Sequence, residues 1–283
     1  MRAPPLRSGL TLIEITVSLL LLLVLLSVGS LVARRSIQTV ATVSTVELRS
    51  ATLSDGLRTL ARHVSNSDPV ANDLRFARDS VLDLVHAIGV TTICTLSRDT
   101  ITLSAANDTL PWSSALPRGV TTDDALRVWS DTEQRWIQRA VRVVAGASGS
   151  CGDSASVWPG RASQRVIIDS SVAGIRPGAL VRVLQRERWS LVRGGDGQWS
   201  LSLATWDALG RTFSTPQPLV TPLASPTAPG GPGLTVRAID AAGQPLADNA
   251  LARTRAILVW LRSAHQARLG IIADSVRINV GPH

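Results

Sequence analysis

The chain has 283 residues and a formal net charge of +8, and its strongly basic side chains are all arginines because the sequence contains no lysine. The absence of lysine excludes a Walker A phosphate-binding loop, a Ser-x-x-Lys nucleophile and a Schiff-base lysine. With 45% hydrophobic residues, the composition fits one main domain together with a membrane segment.

The N-terminal region is the most informative part of the sequence. A short leader carries Arg2 and Arg7 and ends at Gly9, and an almost unbroken apolar run follows over residues 10–32. At 1.5 Å per residue, a helix over this run would be about 34 Å long, which is enough to cross the hydrocarbon core of a bilayer. A cleavable secretory signal instead has a shorter apolar region with a small-residue cleavage site after it. The sequence therefore predicts one membrane-spanning helix with its N-terminus in the cytoplasm.

One acidic residue, Glu14, interrupts this apolar run near its beginning. A carboxylate inside a bilayer costs about 2.5 to 3.5 kcal/mol on insertion scales, so it indicates a functional site and requires a partner. Cleavage between Gly9 and Leu10 would create an α-amino group on Leu10. A neighbouring copy could then offer this cation to Glu14 within the membrane.

The sequence SGLTLIE at residues 8–14, together with the apolar run, resembles the leader junction of type IV pilins and type II secretion pseudopilins. The resemblance implies that prepilin peptidase cuts after Gly9, that Leu10 becomes the N-methylated terminus, and that Glu14 guides docking into a filament. The commonest first mature residue of the family is phenylalanine, so Leu10 departs from the pattern. The alternative is a plain signal anchor in which the glutamate occurs by chance.

The same resemblance implies partners and a location. The partners would be prepilin peptidase, other pilins or pseudopilins, and the inner-membrane assembly platform. The protein would first lie in the inner membrane with its head in the periplasm, and would then join a pilus or pseudopilus.

A helical pattern continues beyond the membrane segment. Leu53, Leu57, Leu60 and Val64 recur at spacings of three and four, which is typical of one face of a helix. Pro69 follows shortly afterwards and marks the end. We therefore expect residues 1–9 to be a leader and residues 10–67 to be one helix, which spans the membrane over residues 10–32 and is amphipathic after it.

Residues 68–283 show short alternating runs separated by turn residues, which predict a mostly antiparallel β-sheet head. The clearest hairpin joins residues 179–193 to residues 198–206 through glycine-rich residues 194–197, since glycine permits positive φ. The proline-rich residues 216–232 are predicted to be a loop or tip. Other predicted strands are at residues 80–87, 91–96, 100–104, 126–129, 136–144, 164–169, 234–240, 255–261 and 275–280.

The predicted fold class is thus α+β, with a long N-terminal helix packed on an antiparallel sheet. This order of a long helix, a sheet-rich head and a late hairpin resembles, more loosely than the leader junction does, the J-type minor pseudopilins and their minor-pilin relatives. The resemblance implies a pilin-like fold.

Residues with metal, redox or catalytic chemistry form no recognisable motif. Cys94 and Cys151 lack zinc-ligand spacing; in an exported head they could form one disulfide, and the alternative is two buried thiols. The adjacent Asp123 and Asp124 are expected in a solvated turn rather than a calcium site. We predict no enzyme activity, cofactor or metal. The histidines that lack metal-ligand spacing are His63, His86, His265 and His283.

A row of arginines favours a second hypothesis. Arg182, Arg186 and Arg188 share one face of the predicted hairpin, where they could contact a polyanion such as DNA. The alternative is a solvated basic surface. A structural pilin or pseudopilin subunit is the first hypothesis, a pilus-associated DNA- or ligand-binding subunit is the second, and a membrane-anchored enzyme is the third. The sequence leaves open whether a pilus or a secretion filament is involved.

Overall fold

The computed structural model describes residues 12–104, 115–145, 163–171, 173–208, 210–267 and 270–280. The chain divides into two compact units, Met1–Arg49 and Ser50–His283. A single helix, α1 (Leu12–Ser65), begins in the first unit and ends in the second. The predicted helix was residues 10–67, and Leu10 lies outside the described residues.

Within the apolar run of the first unit, which ends at Val32, the described side chains of α1 are exposed and almost all apolar. Ile13 and Leu25 are exposed by 73% and 70%, and Leu19–Leu26 are exposed without interruption. A helix that is apolar all round is typical of a membrane span. Among the described residues, α1 is the one helix long and apolar enough to cross a membrane.

In the second unit, α1 presents the predicted apolar stripe to the protein interior. Leu53, Leu57, Leu60 and Val64 are all buried, so these four side chains lie on one buried face of the helix. After α1, the Asp68 side chain accepts a hydrogen bond from Val70 N at 3.0 Å and caps a short 3-10 turn, Pro69–Ala71. This turn leads the chain into the sheet.

Strands occupy most of the second unit, and every pairing among those described is antiparallel. The strands are β1 (Leu74–Arg78), β2 (Val81–Ser97), β3 (Thr100–Ser104), β4 (Asp124–Ser130), β5 (Arg135–Ala145), β6 (Ser163–Ile168), β7 (Leu180–Arg193), β8 (Trp199–Asp207), β9 (Thr212–Phe213), β10 (Gln217–Leu223), β11 (Leu234–Ile239), β12 (Ala256–Ala267) and β13 (Gly270–Asn279). A second 3-10 turn, Asp248–Arg253, precedes β12. The architecture is therefore α+β, as predicted.

The two longest strands, β2 and β7, pair with each other from Val81↔Ser190 to Thr92↔Leu180. Along its length, each of these two strands also pairs with two further strands, one after the other. β2 pairs first with β1 and then with β3, whereas β7 pairs first with β4 and then with β8. This β2–β7 ribbon therefore belongs to two different layers of sheet.

One layer closes on itself. The order β2–β3–β6–β5–β4–β7 returns to β2 through the β2–β7 pairing, which makes a closed ring of strands. Apolar side chains fill the ring, including Ile93, Leu103, Leu126 and Val166. It is a packed core and not a channel, as expected for a small barrel.

The other layer packs on the C-terminal part of α1. It runs β1–β2–β7–β8–β10–β12–β11, with β13 added to β12. The apolar face of α1 meets a second core on this layer, which contains Leu82, Leu84, Trp189, Leu201 and Val259 among others.

Several elements differ from the sequence expectation, and β2, β1 and β10 are the most informative of them. The predicted strands 80–87 and 91–96 form one strand, β2, which continues through a register shift between Ala87 and Gly89. At Gly89 a Cβ would lie 2.3 Å from Ala115 O, so this glycine permits a close backbone approach and does not end the strand. Strand β1 was not predicted.

The third difference is β10, which lies inside the proline-rich stretch predicted to be a loop. Proline cannot donate to a ladder, and the pairing of β10 with β8 accordingly shifts register between Pro218 and Val220 and again before Leu223. Its pairing with β12 is limited to Leu223↔Ser263. An irregular strand of this kind leaves no alternating pattern in the sequence.

Candidate functional site

The residues of the predicted cleavage junction are described only in part. Gly9 and Leu10 lie outside the described residues. Glu14 lies in the first turn of α1 with its side chain exposed, among exposed apolar neighbours. A carboxylate in this turn interacts favourably with the positive end of the helix dipole. The roles predicted for these three residues remain predictions.

The predicted arginine row lies on the face of β7 opposite to α1, and two of its members share one buried carboxylate. Arg186 donates to Asp83 Oδ1 from Nε at 2.9 Å and to Oδ2 from Nη2 at 2.8 Å, and Arg188 donates to Oδ2 at 3.0 Å. The Asp83 side chain is 2% exposed. Arg182 does not join this pair and lies over the Trp136 ring at 4.7 Å.

Aromatic rings cover the same guanidinium groups. Arg186 lies 4.4 Å from the Trp206 ring centre, and Arg188 lies 3.9 Å from that of Phe213. Cation–π contacts of this type hold the side chains in place. The row is therefore a packed arginine–aromatic layer in which Asp83 offsets one positive charge. Contact with a polyanion stays a prediction.

On the opposite face of the ribbon, three ionisable side chains meet inside the protein. His63 Nδ1 of α1 lies 2.7 Å from Glu187 Oε2 of β7, and His86 Nε2 of β2 lies 3.2 Å from Glu187 Oε1. The His63 and His86 ring centres are 4.4 Å apart. We call these three residues the His–Glu cluster.

Burial and charge in the His–Glu cluster act on the Glu187 carboxyl in opposite directions. Burial raises the pKa of Glu187, but its interactions with the nearby His63 and His86 rings outweigh burial and lower this pKa to about 2. Glu187 is therefore a carboxylate at neutral pH. Trp189 lies edge-on to His63 at 5.4 Å and closes one side of the cluster.

Sequence reasoning missed the His–Glu cluster because its members are far apart in the chain; His63 and Glu187 are separated by 124 positions. One signal was available. Val181, Val183, Trp189 and Leu191 occupy the inward face of β7, and Glu187 shares their alternation. A carboxylate at a core position of a strand needs a partner, because an unpaired buried charge is very costly.

The predicted solvated turn is wrong for Asp124, which is buried, whereas Asp123 lies in a turn and is half-buried. Arg118 donates from both Nη atoms to the two Asp124 oxygens at 2.7 Å, and Thr121 N donates at 2.8 Å. These hydrogen bonds raise the pKa of Arg118 above its ordinary value although burial opposes them. Asp124 is thus a buried structural carboxylate at the start of β4. Asp123 accepts a hydrogen bond from Ala208 N.

Cys94 is buried in β2 and is disulfide-bonded. The sequence contains one other cysteine, Cys151, which lies outside the described residues. Structural disulfides form in oxidising compartments such as the periplasm.

No protein-family model, curated protein or solved structure matches the chain. The case for a function therefore rests on the N-terminal residues and on the geometry of the two units.

Proposed function

We propose that the chain is a minor pilin or pseudopilin, a structural subunit that is cut after Gly9 and assembled into a type IV pilus or type II secretion filament. The carrying observation is Glu14, a carboxylate in the first turn of α1 and in an apolar run that directly follows a glycine-ended basic leader in the sequence. A carboxylate within a membrane span is costly and marks a functional site. The α-amino group created on Leu10 of a neighbouring subunit is suited to pair with this carboxylate.

The two sections of α1 support the same proposal. The first section exposes apolar side chains on all sides, which suits packing first in a bilayer and then among other helices. The second section buries its stripe in the head through Leu53, Leu57, Leu60 and Val64. One helix thus carries a surface for other subunits and a fixed attachment to its own head.

The size of the head favours a minor subunit. Two sheet layers with separate cores make a bulky body, which is difficult to repeat at every step of a closely packed helical filament. A place at the filament tip, where the subunit would initiate or cap assembly, avoids this crowding.

The first test concerns processing at the junction. The chain is co-expressed with a prepilin peptidase, and its mass is measured by mass spectrometry. We expect loss of residues 1–9 from the wild type and no loss from Gly9→Leu. Gly29→Leu is the matched control, because it makes the same change within α1 at a glycine with nothing within 4 Å; it should be processed normally. A Gly9→Leu chain that is still shortened would refute cleavage at this site.

The second test concerns docking. Glu14→Gln removes the charge but retains the size of the side chain, so we expect normal processing and membrane insertion with loss of cross-links to other pilin-like subunits. Glu47→Gln is the control, because Glu47 is exposed on α1 beyond the apolar run. Equal cross-linking of both variants and the wild type would exclude Glu14 as the docking carboxylate.

A further inference from the structure

The His–Glu cluster brings together donor atoms from three elements that are distant in sequence. His63 is on α1, His86 on β2 and Glu187 on β7, and one ligand atom from each residue lies within 4.8 Å of the others. All three residues belong to the second unit. Two imidazoles and one carboxylate that converge in this way form a ligand set of the type that binds zinc.

The hydrogen bonding of His86 points to a ligand. The His86 side chain is 6% exposed, and neither of its ring nitrogens makes a well-aligned hydrogen bond to any described residue. Buried polar groups normally have partners, because leaving one unsatisfied costs about 1–3 kcal/mol. His86 Nε2 already lies 3.2 Å from Glu187 Oε1, so one ion between them would satisfy both residues.

The distances suit a small ion after a slight adjustment. Tetrahedral coordination at about 2.0–2.2 Å places neighbouring ligand atoms about 3.3–3.6 Å apart. The 3.2 Å distance between His86 Nε2 and Glu187 Oε1 is close to this range, whereas His63 Nδ1 lies 2.7 Å from the other carboxylate oxygen, Oε2, and this contact must lengthen. His63 is the residue able to move, because its side chain is 22% exposed whereas that of Glu187 is 4% exposed.

We propose that His63, His86 and Glu187 bind one divalent transition-metal ion of the zinc class, which fastens the end of α1 to the β2–β7 ribbon. Two nitrogens and one carboxylate oxygen select such an ion over calcium or magnesium, which prefer six or more oxygen ligands. The exposed side of His63 provides the path of entry and a fourth position for water. The site does not depend on filament assembly and is a property of the head alone.

The experiment uses the full-length protein in detergent, purified without a polyhistidine tag and stripped with a chelator. Zn²⁺ is titrated against a chromophoric chelator, and the visible spectrum of Co²⁺ is recorded. We expect one Zn²⁺ per chain, a higher Tm with Zn²⁺, and the intense visible absorption of four-coordinate Co²⁺.

Three variants assign the ligands. Glu187→Gln, which keeps the size of the side chain, and His63→Gln, on the exposed side, should each weaken Zn²⁺ binding by about tenfold or more and abolish the Co²⁺ bands. His265→Ala is the control for loss of a histidine outside the cluster and should bind as the wild type does. Absence of stoichiometric Zn²⁺ binding, or binding unchanged in both ligand variants, would overturn the proposal and leave Glu187 as the hydrogen-bond partner of His63 alone, with His86 beside it.

Discussion

At the scale of single residues, the buried pair Arg127–Asp73 shows how a charge can be tolerated without adding stability. Both Nη atoms of Arg127 donate to the Asp73 carboxylate, and the two side chains are 5% and 2% exposed. Burial raises the pKa of Asp73 in spite of the lowering effect of Arg127. The cost of removing the carboxylate from water therefore exceeds the attraction to its partner, as is common for buried ion pairs.

Removal of one partner is consequently far worse than removal of both. We expect Arg127→Met to lower the free energy of unfolding by about 3–5 kcal/mol, because Asp73 is left buried without a counter-charge. Adding Asp73→Asn should recover much of this loss, since the amide oxygen can still accept from Asp68 N. Urea unfolding of the detergent-solubilised protein measures both effects.

The exposed pair Arg135–Glu133 is the matched control, with side chains 70% and 38% exposed. Arg135→Met should change the free energy of unfolding by less than about 1 kcal/mol because water screens this pair. If the Arg127→Met chain were as stable as the Arg135→Met chain, Asp73 would have to be neutral or solvated in the folded protein.

Residues were predicted correctly where a local pattern specifies burial. The stripe of Leu53, Leu57, Leu60 and Val64 is an example, because helix geometry alone places these side chains on one face. The partners Arg127 and Asp73 lie 54 positions apart, and only the tertiary fold brings them together. The His–Glu cluster was not predicted for the same reason.

At the scale of elements, α1 and β10 approach closely at a glycine. A Cβ on Gly56 would lie 2.3 Å from Val220 Cγ2. Alanine is a better helix former than glycine by about 1 kcal/mol, but here it would force Val220 and β10 to move. We expect Gly56→Ala to destabilise the head by about 1–3 kcal/mol, as overpacking does. The midpoint of urea unfolding provides the measurement.

Two further variants separate packing from helix propensity. Gly29→Ala makes the same change in the same helix where nothing lies within 4 Å, so the midpoint for the head should stay the same. Combining Gly56→Ala with Val220→Ala should restore part of the lost stability by making room. If Gly56→Ala alone had a urea midpoint equal to or higher than that of the wild type, β10 would accommodate the added methyl group without loss of stability.

Strands could be predicted where the turn residues and the alternation of apolar and polar side chains indicate the same strand boundaries. β7 and β8 were located correctly, because the glycines of residues 194–197 mark the turn and the flanking strands alternate. β10 was missed since prolines at positions 218 and 222 give the sequence the appearance of a loop. Its place in the sheet depends on β8 and β12, which lie on either side of it, and not on its own propensity.

At the scale of the whole molecule, the β2–β7 ribbon contributes to two separate hydrophobic cores. The alternation of apolar and polar residues in the individual strands does not reveal that there are two. The closed ring and the layer packed on α1 both use β2 and β7. The sequence predicted one antiparallel head because the alternation of apolar residues is the same in a barrel and in an open sheet. Closure depends on which strands pair at long range, and alternation carries no information on that.

The disulfide of Cys94 bears on the compartment in which the head folds. A buried cysteine that is disulfide-bonded is typical of a protein that folds in an oxidising compartment, and α1 is long and apolar enough to cross a membrane. We therefore expect the full chain in growing cells to resist a thiol-reactive polyethylene glycol reagent unless a reductant is added first. Gel mobility after rapid acid quenching of the cells measures the number of labelled thiols.

Deletion of residues 10–32 gives the decisive comparison, because it leaves the whole second unit intact but removes the membrane segment. The shortened chain should stay in the reducing cytoplasm, and its thiols should react without reductant. Cys94→Ser in the full chain, which releases the other cysteine, should add one labelled thiol and so calibrate the mobility shift. Reactive thiols in the unaltered full chain would place the head in the cytoplasm, and a head located there could not join a pilus or a pseudopilus.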